Sequence, residues 1–170
     1  MQHNEFDEFD EVYDLMVTSF PSSERRSYED QKALLEKHNY EIETNRNDNG
    51  ELLSFMAIWQ LNTSHFIEHL AVSPLSRGEG VGGKVMKELI EKSEKPVLLE
   101  VEHPETEIAK KRIQFYERLG FHLNTHDYIQ PPIQAGEEPL PLHIMSYPDP
   151  ISAEEFKIFK NDIFSELYAV

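Results

Sequence analysis

Residues 77–83 read RGEGVGG, four glycines in seven positions, followed by Lys84 and Val85. That density argues for a loop whose backbone takes positive φ or comes close to another group. The flanks narrow the choice. Residues 65–72 (HFIEHLAV) read as an apolar strand, and Val81, Val85 and Leu89 keep helical register over about 80–93. A glycine turn opening a helix presents unpaired N–H donors and a partial positive charge, which suits phosphate.

The stretch fits three phosphate-binding patterns at once. Gly78, Gly83 and Lys84 begin a GxxxxGK loop, but Val85 stands where that loop needs a hydroxyl for Mg²⁺. Gly78, Gly80 and Gly83 fit GxGxxG, with Glu100 about twenty residues on. Against this, Ser73-Pro-Leu-Ser76-Arg77 separates the strand from the glycines, and no preceding βαβ unit is visible. Arg77, Gly80 and Gly82 fit [QR]xxGx[GA], the pyrophosphate loop of an acyl-CoA-dependent transferase superfamily. A glycine-rich loop in a non-catalytic α/β domain is the bland alternative.

The rest of the chain supplies context. Phe6, Phe9, Tyr13, Met16 and Phe20 form one helical stripe over 5–20, ended by Pro21. Residues 27–38 predict a second helix with Leu34 and Leu35 facing inward. Tyr40, Ile42 and Thr44 alternate as a strand, and Asn49-Gly50 is the clearest hairpin signal. Residues 51–60 form the next strand. KPVLLEVEH (95–103) is near-continuously apolar, as a strand covered on both faces is. Thr106 to Leu119 predicts a helix stopped by Gly120. FHLNT and LHIMS read as strands, and Ser152-Ala-Glu-Glu155 is a capping box opening a helix that carries Phe156, Phe159 and Ile163. The order α-α-β-β-β-α-β-α-β-β-α implies an α/β (α+β) fold with a mixed sheet, and 170 residues without a linker imply one domain over 1–170.

Zero cysteines exclude disulfides and any acyl-cysteine intermediate. The acidic start MQHNEFDEFD and the lack of a long apolar run point to a cytoplasmic protein. A net charge of −16 disfavours nucleic acid and anionic membranes as partners and favours a small cationic substrate. The same acidity also serves solubility alone.

Residues 68–83 (EHLAVSPLSRGEGVGG) and 115–121 (FYERLGF) together resemble two ordered landmarks of the GNAT superfamily of N-acetyltransferases, with a helix and a strand between Gly83 and Tyr116. The resemblance spans about 27–147. It implies a mostly antiparallel central sheet with helices on both faces and a C-terminal helix. It also implies acetyl-CoA as cosubstrate without a metal, and a small-molecule amine as acceptor. A homodimer is compatible with it. The loop residues Arg77, Gly78, Gly80, Val81, Gly82 and Gly83 would hold the pyrophosphate, Arg77 through its side chain or its backbone alone. Leu70, Ala71 and Val72 would pair with pantetheine where strands 65–72 and 95–103 part.

Tyr116 matches the family tyrosine that protonates the leaving thiolate; packing with a capped carbonyl is its structural alternative. Glu68 occupies the spacing of a candidate general base. A carboxylate half-buried among apolar groups would have a raised pKa, whereas a cation partner would make it structural. Glu102 and His103 end the neighbouring strand and are further candidates, as is water. His69 is expected on the opposite face by alternation. Ala109 stands where many members have Asn, and Arg112 either replaces that contact at a phosphate or pairs with an acid. Segments 19–26 and 126–141 would form the acceptor cleft, with Arg25 and Arg26 suited to a carboxylate, and Glu137 and Glu138 to an ammonium. The rival reading is a module that senses acetyl-CoA without catalysis.

Overall fold

The computed structural model describes residues 5–168. The Phe6 side chain lies outside the described residues. Among the described residues six strands form one sheet in the order β1-β2-β3-β4-β6-β5. They are β1 (Tyr40–Arg46), β2 (Leu52–Gln60), β3 (His65–Val72), β4 (Val97–Glu102), β5 (His122–Gln130) and β6 (Leu140–Tyr147). Only the β3–β4 neighbours are parallel; the others pair antiparallel. The expected mixed, mostly antiparallel sheet is therefore present.

Among the described residues five α-helices cover it: α1 (Glu5–Ser19), α2 (Tyr28–Ala33), α3 (Val81–Lys92), α4 (Glu107–Arg118) and α5 (Ala153–Ile163). One core packs Val12, Leu15 and Met16 of α1 and Phe156, Phe159 and Ile163 of α5 against Phe55, Trp59 and Phe66. The opposite core packs Met86 and Leu89 of α3 and Ile113 and Tyr116 of α4 against Ile58, Ile67 and Leu99. β4 contributes Leu98 to the first core and Leu99 to the second, which explains its unbroken apolar run.

The local signals act as their chemistry requires. Asn47 Oδ1 accepts from the N–H groups of Asn49 and Glu51, and Gly50 takes a φ of 80° to close the β1–β2 hairpin. Both capping-box bonds at Ser152 and Glu155 form, at 3.1 and 3.0 Å. Gly120 ends α4 with a φ of 100°.

Four expectations are corrected. The second helix leaves α geometry after Ala33, and the tighter turn Leu34–Glu36 rotates Leu35 outward, where it is 44% exposed. The deeply buried face of α3 is Gly82, Met86 and Leu89, with Val81 and Val85 only half-buried. β5 continues to Gln130 because Tyr128, Ile129 and Gln130 pair with Leu142, Pro141 and Leu140, so the connection before β6 shortens to 131–139. Finally, β3 carries a bulge opposite Ala57 and Ile58, which pair with His69 and Ile67 and leave Glu68 as the extra residue. Alternation fails there, and Glu68 and His69 both turn toward the segment after α1.

Candidate active site

Pairing between β3 and β4 stops at Ile67 and Leu99. Beyond that point the edge of β3 facing β4, residues 68–72, has no strand partner. Two cavities meet at this fork.

The first is a trough of about 430 Å³ between the glycine loop and α4. Gly78 and Gly80 take φ values of 85° and 76°, which side-chain-bearing residues rarely adopt. Gly80 is thereby the N-cap of α3, and the first intrahelical bond runs from Lys84 N–H to its carbonyl at 3.1 Å. The N–H groups of Val81, Gly82 and Gly83 precede that bond and have no acceptor within the helix. Gly82 leaves little room: a Cβ there would lie 3.4 Å from Val72 Cγ2 and 3.5 Å from Phe115 Cζ. Leu70 and Val72 line the trough. Ala71 points into the opposite core and can contribute only backbone. Arg77 is exposed, with its Nε donating to the Val72 carbonyl at 3.4 Å.

The second cavity is a small chamber of about 60 Å³ on the other side of the fork. Four carboxylates reach it: Glu24, Glu68, Glu100 and Glu102. They differ in state. Glu68 accepts from Arg26 Nη1 at 2.8 Å and from Trp59 Nε1 at 2.9 Å. Burial alone would raise its pKa, but Arg26 reverses that and holds it below the usual carboxylate range. The expected raised pKa is thus corrected, and Arg26, 6% exposed, is committed to Glu68 rather than to a substrate carboxylate.

Glu24 behaves oppositely. Burial, then the negative charge of Glu102, pushes its carboxyl up to about 7, and the two groups hydrogen-bond when one is protonated. Glu24 lies in the short helix Ser22–Glu24, inside the segment expected to wall the cleft, but no sequence signal singles it out from its neighbours. That wall is tied to the connection before β6. Gln134 Nε2 donates to the carbonyls of Ser22 and Arg25 at 2.9 and 2.6 Å, and Ser22 Oγ donates to Glu137. Glu100 is pushed up to about 7 by burial, against hydrogen bonds from Tyr128 and Tyr168 that lower it. His69 Nε2 donates to the Glu24 carbonyl at 2.7 Å, which leaves Nδ1 buried with no partner among the described residues.

Tyr116, Leu70 and Arg112 line both cavities. Tyr116 packs edge-on against Phe115 and Phe121, and its hydroxyl makes no hydrogen bond among the described residues. Burial pushes its pKa up to about 12, so the phenol keeps its proton at neutral pH. Ala109 packs inward, away from the trough, with its N–H capped by Thr106 Oγ1 at 3.0 Å. His103 stacks on His143, ring centroids 4.0 Å apart, outside both cavities.

Residues 9–121 match the profile of the Acetyltransferase (GNAT) family. The chain is 33% identical over 111 residues to the protein YjbC of Bacillus subtilis (strain 168), a match that spans 64% of this chain and about half, 55%, of that relative. A GNAT-family structure from Bacteroides thetaiotaomicron superposes with a TM-score of 0.88 at 30% identity, covering 98% of this chain and 94% of the other. The ribosomal-protein-S18-alanine N-acetyltransferase of Escherichia coli superposes at 0.62 with 19% identity over 90% of this chain and 95% of its own. A SpeG spermidine N-acetyltransferase mutant from Vibrio cholerae gives 0.60 at 13%, over 82% and 87%. The last two share the fold.

Proposed function

Because the chain belongs to the acetyltransferase (GNAT) family, we propose that it transfers the acetyl group of acetyl-CoA directly to the nitrogen of a small cationic amine. The observation that carries this reading is the meeting of trough and chamber at Tyr116, over the point where β3 and β4 part. The trough suits the cosubstrate: helix N–H donors for the pyrophosphate at one end, an unpaired strand edge for pantetheine, and an apolar flank from Phe115 and Ile108. The chamber suits a cation, since it gathers four carboxylates, of which, among the described residues, only Glu68 has an ion-pair partner. Among the described residues, no cluster of three or more His, Asp or Glu is placed to hold a metal ion.

An incoming ammonium of pKa about 10 must lose a proton before attack. The Glu24–Glu102 pair receives it, because a base near pKa 7 combines availability with basicity at neutral pH. Glu68 does not take this role, since both its oxygens are bonded and its pKa is lowered. The amine nitrogen then attacks the thioester carbon, the C–S bond breaks, the nitrogen releases its second proton to solvent as the amide forms, and the sulfur takes the Tyr116 proton. The tyrosinate is reprotonated from the carboxylic acid pair through water.

A thiol-release assay across a panel of amines, with and without EDTA, tests this reading. Turnover that is insensitive to EDTA and falls by about 10- to 10³-fold in Tyr116→Phe, with acetyl-CoA affinity retained, is expected. Calorimetry that shows CoA binding with no turnover on any amine would support the non-catalytic sensor instead.

A further inference from the structure

We infer that Arg112 is a further catalytic residue, its guanidinium lying against the thioester where the two cavities join and carrying the negative charge that builds on the thioester oxygen and then on the departing sulfur. The inference rests on the trough being the acetyl-CoA site. Among the described residues three line both cavities, and Arg112 is the only charged one of them. It precedes Tyr116 by one turn of α4, so the two side chains project from the same face.

The state of its donors is the second observation. Arg25, Arg26, Arg46 and Arg77 each donate to a carbonyl or a carboxylate. Arg112 is half-buried, yet makes no hydrogen bond or ion pair among the described residues. Five N–H donors at the mouth of an acidic chamber are therefore unclaimed by the described residues. Among the described residues no carboxylate comes within ion-pair distance, although Glu24 and Tyr116 both lie within the field of this cation. A half-buried guanidinium without a partner among the described residues is matched to a charge that arrives with the ligand.

The chemistry needs such a group. Attack on the thioester moves an electron pair onto oxygen; collapse returns it and expels the thiolate. Tyr116 supplies one O–H donor, and its proton is held more tightly than that of an ordinary thiol of pKa about 8.5, so the final transfer is uphill. A fixed cation beside both the oxygen and the sulfur lowers both steps and eases release of the tyrosine proton. Arg112 lines the chamber as well as the trough, whereas Gly78, Gly80, Gly82 and Gly83 line the trough alone, so Arg112 is placed toward the acetyl group rather than the phosphates.

The test compares Arg112→Met, Arg112→Gln and Arg112→Lys in steady-state kinetics and CoA calorimetry. The neutral variants should lose about 10²- to 10³-fold in kcat, as removal of one oxyanion donor does, with the Kd for CoA changed less than threefold; lysine should restore part of the rate. The groups facing the chamber are Glu24, Glu68, His69, Glu100, Glu102 and Tyr116, with Arg26 committed to Glu68. Loss of Arg112 removes the cation that opposes protonation of Glu24, so the acidic limb of kcat/KM should move to higher pH. A purely structural role would leave that limb in place. If Met disturbs α4, the glutamine variant, checked by thermal melting, carries the comparison. A tenfold loss of CoA affinity at unchanged kcat would make Arg112 a phosphate contact and overturn the inference, as would unchanged kinetics. A wild-type protein that binds CoA but acetylates no amine overturns the transferase reading itself, before any variant is compared.

Discussion

Replacing Glu100 with glutamine should stabilise the protein at pH 8 and slightly weaken it at pH 5. Glu100 sits on β4 beneath the chamber, and its carboxylate accepts from Tyr128 and, at 2.9 and 3.1 Å, from Tyr168. Burial nevertheless dominates and moves it from 4.5 to about 7. The unfolded chain releases this proton near 4.5, and the folded chain holds it until about 7. Between those values the folded state binds more protons, so stability falls as pH rises through the window and levels off above it. At about 1.4 kcal/mol per pH unit, the ionised carboxylate costs the folded state about 3 kcal/mol at pH 8. Glutamine keeps the shape and a carbonyl acceptor, never ionises, and adds an amide whose N–H groups need partners, at a cost of about 1 kcal/mol. The net expectation is a gain of about 2 kcal/mol at pH 8 and a loss of about 1 kcal/mol at pH 5. Urea denaturation of both proteins at four pH values, with equal m-values, reads this difference directly. A difference that does not change with pH, or a variant weaker than wild type at pH 8, would refute the assignment of Glu100 as a buried carboxyl that ionises at a cost.

Arg26→Met should destabilise by about 3–5 kcal/mol in urea melts, because it strands the buried Glu68 carboxylate, and adding Glu68→Gln should recover most of the loss. Gly82→Val drives its side chain toward Val72 and Phe115 and should raise the Kd for CoA at least tenfold by calorimetry; unchanged affinity would put the phosphates elsewhere. Glu102→Gln removes the like charge beside Glu24, so the acidic limb of kcat/KM should move from near 7 to lower pH, with burial still holding it above 4.5. A limb that stays in place would exclude this pair as the base.

Much of this protein is readable from short windows of sequence. The hairpin at Asn49-Gly50, the capping box at Ser152, the stop at Gly120 and the glycine loop opening α3 depend on interactions within a few residues, so local spacing determines them. The ordered pair of motifs around Gly80 and Tyr116 was enough to indicate the family, because both sit on elements of fixed local geometry. The tertiary structure decided the rest. A bulge opposite Ala57 and Ile58 turned Glu68 and His69 to the same side, which strict alternation forbids. Arg26, far along the chain, made Glu68 a bound anion, and Glu102 together with burial made Glu24 a carboxyl with a pKa of about 7. The reason is physical. Whether a segment forms a helix, a turn or a strand depends on its own backbone and near neighbours. The protonation state of a glutamate depends on its solvation and on charges brought beside it only when the sheet closes.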